Sequence, residues 1–591
     1  MSQTQKQSRY EWSTLNWGKI QVRVFKLQRR IYRAASRGDE RLVRRLQRLM
    51  VRSWSARLLA VRRVSQENAG KRTAGIDGVA QLTPAQRLAL VREVNLSSKA
   101  SAVRRIWIAK SDGKEKRPLG IPIMADRARQ ALVKLALEPA WEAKFEPNSY
   151  GFRPGRSVHD AIGAIFNAIC HQPKYVLDAD IAQCFERINH EVLLAKLNVP
   201  PWLRRPIQGW LKAGVWNQGQ WYPSQEGTPQ GGVLSPLLAN IALHGMEQYL
   251  KAQFPAYSYT VAGHRYRVNP VQVVRYADDF VVIHPERAVI EAAQNALEAW
   301  LAPLGLQLKA SKTQIVHTLG ADGVATGFDF LGFQIRQYPV GQTQKASGYK
   351  TLTKPSKASM KRHRQRLQQI VRSHLGRQQH QLIERLNTAI GGWSRYYSTA
   401  ASSKCFHKLD NDLRQSLFRW TKRQSSKPNG HAKVAKYWGI DRGWGWVFCT
   451  KEGFRLYEHH YTPIRRHVKV RSNQSPFDGD WLYWASRRGL YPGVRALLAR
   501  LLKRQAGKCA HCGLFFDWES AIEVHHVNGN RADNQPHNLL ALHRHCHDQV
   551  HGAVAQTKTC ILDKNSPAEE PCEVKVSSTV LKPSGGGDPF A

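Results

Sequence analysis

The chain has 591 residues, of which 89 are Lys or Arg and 44 are Asp or Glu, so its formal net charge at pH 7 is +45. This length exceeds what one hydrophobic core supports and predicts several modules. So large a positive charge indicates a polyanionic partner and favours nucleic acid over a membrane surface. Nine cysteines in so long a chain exclude a scaffold built on disulfides.

Signals for export and membrane insertion are absent from the sequence. Residues 1–16 lack a cationic segment followed by an apolar stretch, and no run of about 18 apolar residues occurs. We therefore expect a soluble protein of the cytoplasm.

Residues 1–63 are predicted to form a basic helical extension, because they contain 17 Lys or Arg and only 3 Asp or Glu. Apolar residues recur there at steps of three and four, namely at Val24, Leu27, Ile31, Leu42, Leu46 and Leu49. Helices with so basic a face favour phosphate binding, although a solvated surface is the alternative.

Residues 64–350 are predicted to be a mixed α/β region, since short β-branched runs alternate there with helical patterns. The expected strands lie at 105–109, 175–181 and 271–283, and the expected helices at 161–169 and 290–301. Residues 351–423 form a second basic helical module, with 15 Lys or Arg against 3 Asp or Glu over 356–423.

The C-terminal part of the chain consists of three segments that differ in composition. Residues 424–498 form a connector rich in Trp, Tyr and Gly, with a basic strand-like segment at 464–470, and it either contacts DNA or is an aromatic structural link. Residues 499–552 hold a cluster of Cys and His. Residues 553–591 have too little apolar content to fold and are expected to be a disordered tail.

Adjacent carboxylates stand at the centre of the segment 271–283, where two apolar strands meet at Tyr276-Ala277-Asp278-Asp279. The repulsion between Asp278 and Asp279 is relieved if a divalent metal lies at this turn. Asp180, which ends the apolar run 175–180, can supply a third carboxylate, and such hard oxygen ligands suit Mg²⁺. The pattern indicates phosphoryl transfer, although a hairpin tip with two solvated aspartates explains the turn taken alone.

Six further motifs occur around this turn in a fixed order. They are RPLGIP at 117–122, SYGFRPGRS at 149–157, DIAQCF at 180–185, GTPQGGVLSP at 227–236, KT at 312–313 and FDFLGF at 328–333. Together they resemble group II intron reverse transcriptases over about residues 57–466. The resemblance implies a multidomain α/β and α protein: a right-hand polymerase with fingers and palm, and an α-helical thumb or maturase domain.

By this resemblance, Asp180, Asp278 and Asp279 form the catalytic triad of an RNA-directed DNA polymerase, and with the Ile181 carbonyl they hold two Mg²⁺ ions. Asp178 lies two residues before Asp180 on the same strand face and is the competing candidate. We assign the role to Asp180, because only this aspartate is followed by Phe at the family spacing.

The resemblance also implies a nucleotide-binding set. Lys110 and Arg117 match positions that neutralise the triphosphate, Phe185 matches the residue that excludes a 2′-hydroxyl, and Gln230 would lie beside the nascent base pair. One departure is Glu186, where relatives often have Asp.

The segment LNTAIGGWSRYY at 386–397 resembles the maturase region of the same family, which binds the host intron RNA and promotes its splicing. Arg neutralises phosphates, while aromatic rings either stack on bases or fill the core. We expect Trp393 to lie in the core, and the sequence leaves Tyr396 and Tyr397 open.

The Cys/His cluster divides into two sets. One has the spacing of a structural Zn²⁺ site. Its ligands would be Cys509, Cys512, His543 and Cys546. Relatives more often have Cys at the third of these positions, and His511 or His545 could take the place of His543.

The second set resembles the small ββα-metal domain of HNH endonucleases. That match implies that His525, His547 and His551 hold Mg²⁺ or another divalent ion, that His526 deprotonates the attacking water, and that Asn538 orients His526 by a hydrogen bond. The alternative is a purely structural zinc knuckle with spare histidines.

The whole pattern predicts an intron mobility protein that binds intron RNA, nicks target DNA, and extends the new 3′ end with dNTPs on the RNA template, with no membrane partner. One rival is a splicing factor whose polymerase has decayed, which the intact aspartates argue against. Another is a host-domesticated reverse transcriptase, which has less need for the 356–423 module and the Cys/His cluster.

Overall fold

A computed structural model describes residues 11–109, 116–262, 264–424, 430–441, 445–489, 494, 496–516, 520–530 and 533–557. Within these residues, no helix is both long and apolar enough to cross a bilayer.

The helices follow one another from the first described residues to the last. They are α1 (Trp17–Ser36), α2 (Glu40–Arg52), α3 (Trp54–Arg62), α4 (Pro84–Glu93), α5 (Met124–Glu142), α6 (Val158–Ile169), α7 (Cys184–Arg187), α8 (His190–Leu197), α9 (Pro201–Leu211), α10 (Ser235–Ala242), α11 (Met246–Gln253), α12 (Arg287–Leu301), α13 (Lys357–Ser373), α14 (Gln379–Tyr397), α15 (Ser403–Gln424), α16 (Gly430–Tyr437), α17 (Trp481–Gly489), α18 (Ala496–Arg504) and α19 (Arg544–Thr557).

The strands are concentrated between residues 103 and 355. They are β1 (Val103–Ala109), β2 (Lys116–Ile121), β3 (Tyr175–Asp180), β4 (Val215–Asn217), β5 (Gln220–Tyr222), β6 (Tyr257–Val261), β7 (His264–Val268), β8 (Gln272–Tyr276), β9 (Asp279–His284), β10 (Gln314–His317), β11 (Ala325–Thr326), β12 (Phe328–Phe330), β13 (Phe333–Pro339), β14 (Tyr349–Pro355), β15 (Trp438–Asp441), β16 (Gly445–Phe448), β17 (Ile522–His526) and β18 (Leu539–His543).

The N-terminal helices α1 to α3 share one hydrophobic core with α4 and α5, so the basic extension is continuous with the region after it. Asn16 and Asp39 cap α1 and α2 by accepting backbone hydrogen bonds. The expected buried face of α2 is wrong in part. Leu46 is buried, but Leu42 and Leu49 are 36% and 52% exposed, because the helix turns Val43 and Met50 inward instead.

The central sheet, called the palm sheet below, has the strand order β11-β10-β3-β9-β8. Along β9, Phe280 and Val282 pack into one core, and Val281 and Ile283 into another. Burial on both faces explains why 271–283 is an almost continuous apolar run rather than an alternating one. The predicted strands and helices of this mixed α/β region are confirmed. A second sheet has the strand order β2-β1-β4-β5.

The helical module comprises α13, α14 and α15, as expected from its leucine spacing, and it packs on α16 and the β15–β16 hairpin. Trp393 is 7% exposed and stacks on His363 with ring centroids 4.6 Å apart, which confirms its place in the core. Tyr397 is also buried, and its hydroxyl donates to the Gly332 carbonyl at 3.1 Å. Tyr396 is half-buried.

The segment 464–470 does not form the expected strand; it is irregular and belongs to no sheet. Its backbone is held by isolated contacts, since Arg465 N–H donates to the Ser398 carbonyl at 2.8 Å and Val470 N–H to Asp160 Oδ1 at 2.7 Å. The same Asp160 oxygen accepts hydrogen bonds from His467 and Arg487. One fully buried carboxylate therefore fastens the connector to the palm.

The C-terminal module consists of the β17–β18 hairpin packed against α18 and α19. Helix α19 continues to Thr557, so residues 553–557 are helical and the expected start of the tail at 553 is wrong; residues 558–591 lie outside the described part. The helix lies against the start of the chain. Gln549 Nε2 donates to the carbonyls of Ser13 and Leu15 at 3.0 and 3.1 Å, and Gln66 bonds to Asp548 at 2.7 Å.

Replacing the fastening carboxylate by Asp160→Ala would leave the buried Arg487 guanidinium without its counter-charge. Loss of one partner of a buried pair costs about 3–5 kcal/mol. We expect a corresponding fall in unfolding free energy on urea titration, together with faster proteolysis within 464–489. The control is Glu291→Ala, which removes an exposed ion pair with Arg287 and should cost under about 1 kcal/mol. Equal effects of the two variants would contradict the role of Asp160 in holding the connector against the palm.

Candidate functional sites

Three aspartates meet at one end of the palm sheet. Asp180 ends β3 and pairs directly with Asp279, the first residue of β9. Asp278 lies in the turn between β8 and β9, and its carbonyl accepts a hydrogen bond from Ile181 N–H at 3.3 Å. The backbone thus places the three predicted aspartates and Ile181 next to one another. Because it is Asp180 and not Asp178 that pairs with Asp279, the register favours Asp180 as the third member.

The electrostatics of this turn are those of crowded, poorly solvated carboxylates. Burial, and then the charge of Asp180, raise the pKa of Asp278 to about 6. Burial and the neighbouring Asp278 raise the pKa of Asp279 well above its usual range. Lys312 Nζ lies 2.7 Å from Asp180 Oδ2, so a cation already contacts one member. This donor set fits divalent cations, which would stabilise all three charged forms together.

The turn at 276–279, which is the predicted catalytic turn, is shaped by the segment 149–157 through direct backbone contact. A Cβ on Gly151 would lie 2.3 Å from the Ala277 nitrogen, so only glycine fits there. Ala277 itself has a left-handed backbone, with φ of 59°. Asn240 Nδ2 donates to the Gly151 carbonyl at 2.8 Å and fixes the two segments further. The family motif at 149–157 therefore acts as a support for Asp278 and Asp279.

Arg275 is a supporting residue that the sequence reasoning missed. Its buried guanidinium donates to Asn240 Oδ1 and the Ala277 carbonyl, both at 3.1 Å, and to Ser149 Oγ at 2.8 Å. A single Arg in an otherwise apolar strand was the available signal, because a buried guanidinium must be hydrogen-bonded. The sequence indicates Lys312 only as part of the KT motif at 312–313. It does not predict the contact with Asp180, because 132 positions separate the two residues.

Three of the predicted nucleotide-binding residues, Arg117, Phe185 and Gln230, lie in the described part of the chain. Arg117 lies on β2, and its positive charge acts on Asp278 to lower the pKa of that carboxyl against the effect of burial. The Gln230 carbonyl accepts from Gly120 N–H at 2.6 Å, which ties its loop to β2, and its side chain donates to Glu186 at 3.2 Å. Lys110 lies outside the described residues.

Phe185 lies in α7, immediately after the strand that ends at Asp180. Its half-buried ring meets Phe152 edge-on, with centroids 6.0 Å apart, and its carbonyl accepts from Thr228 N–H at 2.5 Å. Gly227 is required next to it, because a Cβ there would lie 2.4 Å from the Glu186 carbonyl oxygen. The motifs at 180–185 and 227–236 are therefore packed backbone to backbone.

The C-terminal module gathers the predicted zinc set. Cys509, Cys512, His543 and Cys546 place four ligand atoms within 4.8 Å of one another. His543 Nδ1 is the nitrogen that faces the thiols, 3.4 Å from Cys512 Sγ and 4.0 Å from Cys546 Sγ. His545 is directed elsewhere, since its ring packs against Trp17 at 6.3 Å. The geometry favours His543 as the fourth ligand.

A second group is formed by His525 on β17 and by His547 and His551, one turn apart on α19. Their ligand nitrogens also lie within 4.8 Å of one another, and the Nε2 atoms of His547 and His551 are 3.2 Å apart. His547 Nδ1 donates to Glu523 at 2.8 Å, which turns its Nε2 toward the other two rings. Burial and the two neighbouring imidazoles lower the pKa of His525, so the neutral ligand form is favoured.

His526 and Asn538 lie close in the hairpin, but they do not make the expected contact. The Asn538 side chain accepts from Asn528 N–H at 2.9 Å and donates to the Asp533 carbonyl at 2.8 Å, so it shapes the loop after β17 instead of bonding to the His526 ring. His526 Nε2 lies 3.5 Å from Asn534 Oδ1. The expected Asn538–His526 hydrogen bond is not formed in the described structure, in which the Asn538 amide contacts the loop backbone instead.

Gly151→Ala tests the support of the catalytic turn. The added methyl group must displace the Ala277 backbone, and a shift of about 1 Å at a reaction centre costs about 100-fold in rate. We expect a loss of that size in primer extension on an RNA template. The control is Gly163→Ala in α6, where the nearest contact of the new Cβ is 3.5 Å and activity should be retained. Unchanged extension by Gly151→Ala would contradict the role of this contact.

Comparisons with known proteins match three regions of the chain to protein families. Residues 12–94 match the N-terminal domain of reverse transcriptase, 108–335 match reverse transcriptase (RNA-dependent DNA polymerase), and 360–438 match the group II intron maturase-specific domain.

Individual relatives are consistent with these family matches. Protein YkfC of Escherichia coli (strain K12) is 33% identical over 351 residues, which cover 53% of this chain and 88% of the relative. The group II intron-encoded protein LtrA of Lactococcus lactis subsp. cremoris is 26% identical over 503 residues, covering 72% of this chain and 80% of LtrA. The chain therefore belongs to the family of group II intron-encoded reverse transcriptases and maturases.

Proposed function

We propose that this reverse transcriptase polymerises dNTPs at the Asp180, Asp278 and Asp279 centre. The observation that carries the proposal is the pairing of Asp180 with Asp279 beside a turn whose carboxylates are crowded and poorly solvated. Two Mg²⁺ ions held by these carboxylates and by the Ile181 carbonyl would supply Lewis-acid stabilisation of the attacking and leaving oxygens. Lys312 would offset part of the negative charge at this centre, because its Nζ lies 2.7 Å from Asp180 Oδ2.

The residues around the turn suit the handling of a deoxynucleoside triphosphate. Arg117 would bind the phosphates, because its charge already acts on Asp278. The Phe185 ring would fill the space that a 2′-hydroxyl needs, and Gln230 would contact the new base pair. Lys110 is proposed for the triphosphate from its sequence position alone.

For the maturase function of the family, we propose the helical module as the surface that binds the host intron RNA. Exposed cations line α13, at Lys357, Lys361, Arg362 and Arg372. Trp393 and Tyr397 are buried beneath them and support the helices. The module would thus present phosphate-binding side chains on a rigid core.

For the C-terminal module we propose a DNA endonuclease of the HNH type. Cys509, Cys512, His543 and Cys546 would hold a structural Zn²⁺ ion. His525, His547 and His551 would hold a separate divalent ion that stabilises charge at the scissile phosphate.

Within this nuclease, His526 would take the proton of the attacking water. Asn538 would act by fixing the loop that follows His526, since its amide bonds to that loop. A nick in target DNA would leave a 3′-hydroxyl, which the polymerase centre of the same chain could extend on the intron RNA.

Asp278→Ala is expected to lower primer extension on an RNA template by about 1,000-fold or more, because one metal ligand is lost. Filter binding of the RNA should be unchanged. Asp178→Ala is the matched control, since this half-buried aspartate bonds to Gln314 and is expected to be dispensable for the reaction. Retained extension by Asp278→Ala would contradict its role as a metal ligand, and loss of extension by Asp178→Ala would favour Asp178 over Asp180 as the third carboxylate.

His526→Ala should lower nicking of the target DNA by about 100-fold or more, the usual contribution of a general base. The content of bound zinc, measured by inductively coupled plasma mass spectrometry, should remain that of the unmodified protein. His537→Ala, at an exposed position of the same module, serves as the control. If His526→Ala nicks DNA at the rate of the unmodified protein, His526 is not the general base. If the unmodified protein does not cut DNA at all, the C-terminal module is purely structural.

A further inference from the structure

A projecting hairpin, formed by β6 and β7, is not used by either proposed centre. Its two strands form a sheet of their own between α11 and β8, with Tyr259 paired to Tyr266. We call residues 257–261 and 264–268 the aromatic hairpin. Only Val268 among them is buried. A two-stranded sheet with so little burial is marginal by itself, so the fold does not account for its rings.

One face of the aromatic hairpin exposes a row of large side chains to solvent. Tyr257, Tyr259, Val261 and Tyr266 are between 40% and 53% exposed. The rings of Tyr259 and Tyr266 stack across the strands, with centroids 5.5 Å apart and planes inclined by 20°. The Tyr257 hydroxyl bonds to Glu286, which ties the base of the hairpin to the palm. The result is a pre-formed row of exposed aromatic rings.

The opposite face is basic. Arg265 and Arg267 alternate with the tyrosines along β7 and stand across from Thr260 and Ser258. All four are exposed, and residues 252–270 contain no Asp or Glu. A ribbon of two strands, about 5 Å apart, is narrow enough for one bound polymer to reach both faces.

The hairpin lies away from the polymerase centre. It is joined to the start of β8, and the catalytic turn follows the other end of that strand. The five residues of β8 separate the two by about 17 Å. A nucleotide stacked on the aromatic hairpin would therefore lie outside the proposed nucleotide site.

We propose that the aromatic hairpin binds unpaired nucleotides of an RNA, with bases stacked on Tyr259 and Tyr266 and phosphates neutralised by Arg265 and Arg267. Stacking on aromatic rings beside cations is the general mode of single-strand recognition. A protein partner fits less well, because a hairpin without acidic residues on a chain of charge +45 repels a second copy.

The test uses the full chain preloaded with an RNA template and DNA primer, so that the polymerase cleft is occupied. The probe is a fluorescein-labelled oligouridylate that contains 4-thiouridine. We expect photocrosslinks in residues 257–268, and a loss of about tenfold in probe affinity for the double variant Y259A/Y266A. Y259F/Y266F keeps the rings and should bind as the unmodified protein does.

Further measurements separate the possible outcomes. Extension of the preloaded primer should be unchanged in Y259A/Y266A, which shows that the palm is intact. R265Q/R267Q should weaken probe binding and reduce its salt dependence. Absence of crosslinks in the hairpin, with unchanged probe affinity of Y259A/Y266A, would overturn the proposal. So would self-association in sedimentation that Y259A/Y266A abolishes, since the face would then be an interface between copies.

Discussion

Repulsion among three poorly solvated carboxylates is the constraint on which the polymerase region depends. Asp180 and Asp279 are adjacent in the sheet, and Asp278 lies beside them in the turn. Hydrogen bonds from the buried Arg275 hold the backbone of this turn, and Gly151 allows a second segment to pack directly on it. The free energy that these contacts contribute keeps the charges together in a form ready to bind cations.

Polar contacts also connect segments that lie far apart in the sequence. Asp160 fastens the connector to the palm through His467 and Arg487, although 327 positions of sequence separate the two members of its ion pair with arginine. At the other side, Gln549 of α19 bonds to the carbonyls of residues 13 and 15. The helix that carries two of the candidate metal-binding histidines is thus held by the first residues of the described chain. The polymerase centre and the C-terminal module therefore belong to one connected scaffold.

Local patterns predicted much of the fold and the candidate sites. The catalytic hairpin, its partner strand and the Cys/His groups were predictable because short-range periodicity and ligand spacing determine them. Contacts between distant segments were not, and Lys312 beside Asp180 is an example. Asn538 was misjudged for a related reason, since hydrogen-bond partners depend on the path of a loop. Leu42 and Leu49 show that spacing alone does not fix which face of a helix is buried.

The most direct test of the account is to locate metal at the polymerase centre. A crystal of the protein with an RNA template, a chain-terminated DNA primer, the next dNTP and Mn²⁺ would give anomalous signal at each bound ion. The account predicts two ions among the carboxylates of Asp180, Asp278 and Asp279 and the Ile181 carbonyl, with the triphosphate next to Arg117. A complex in which the primer is paired with the template and the dNTP is bound, but no ion lies at these aspartates, would contradict it.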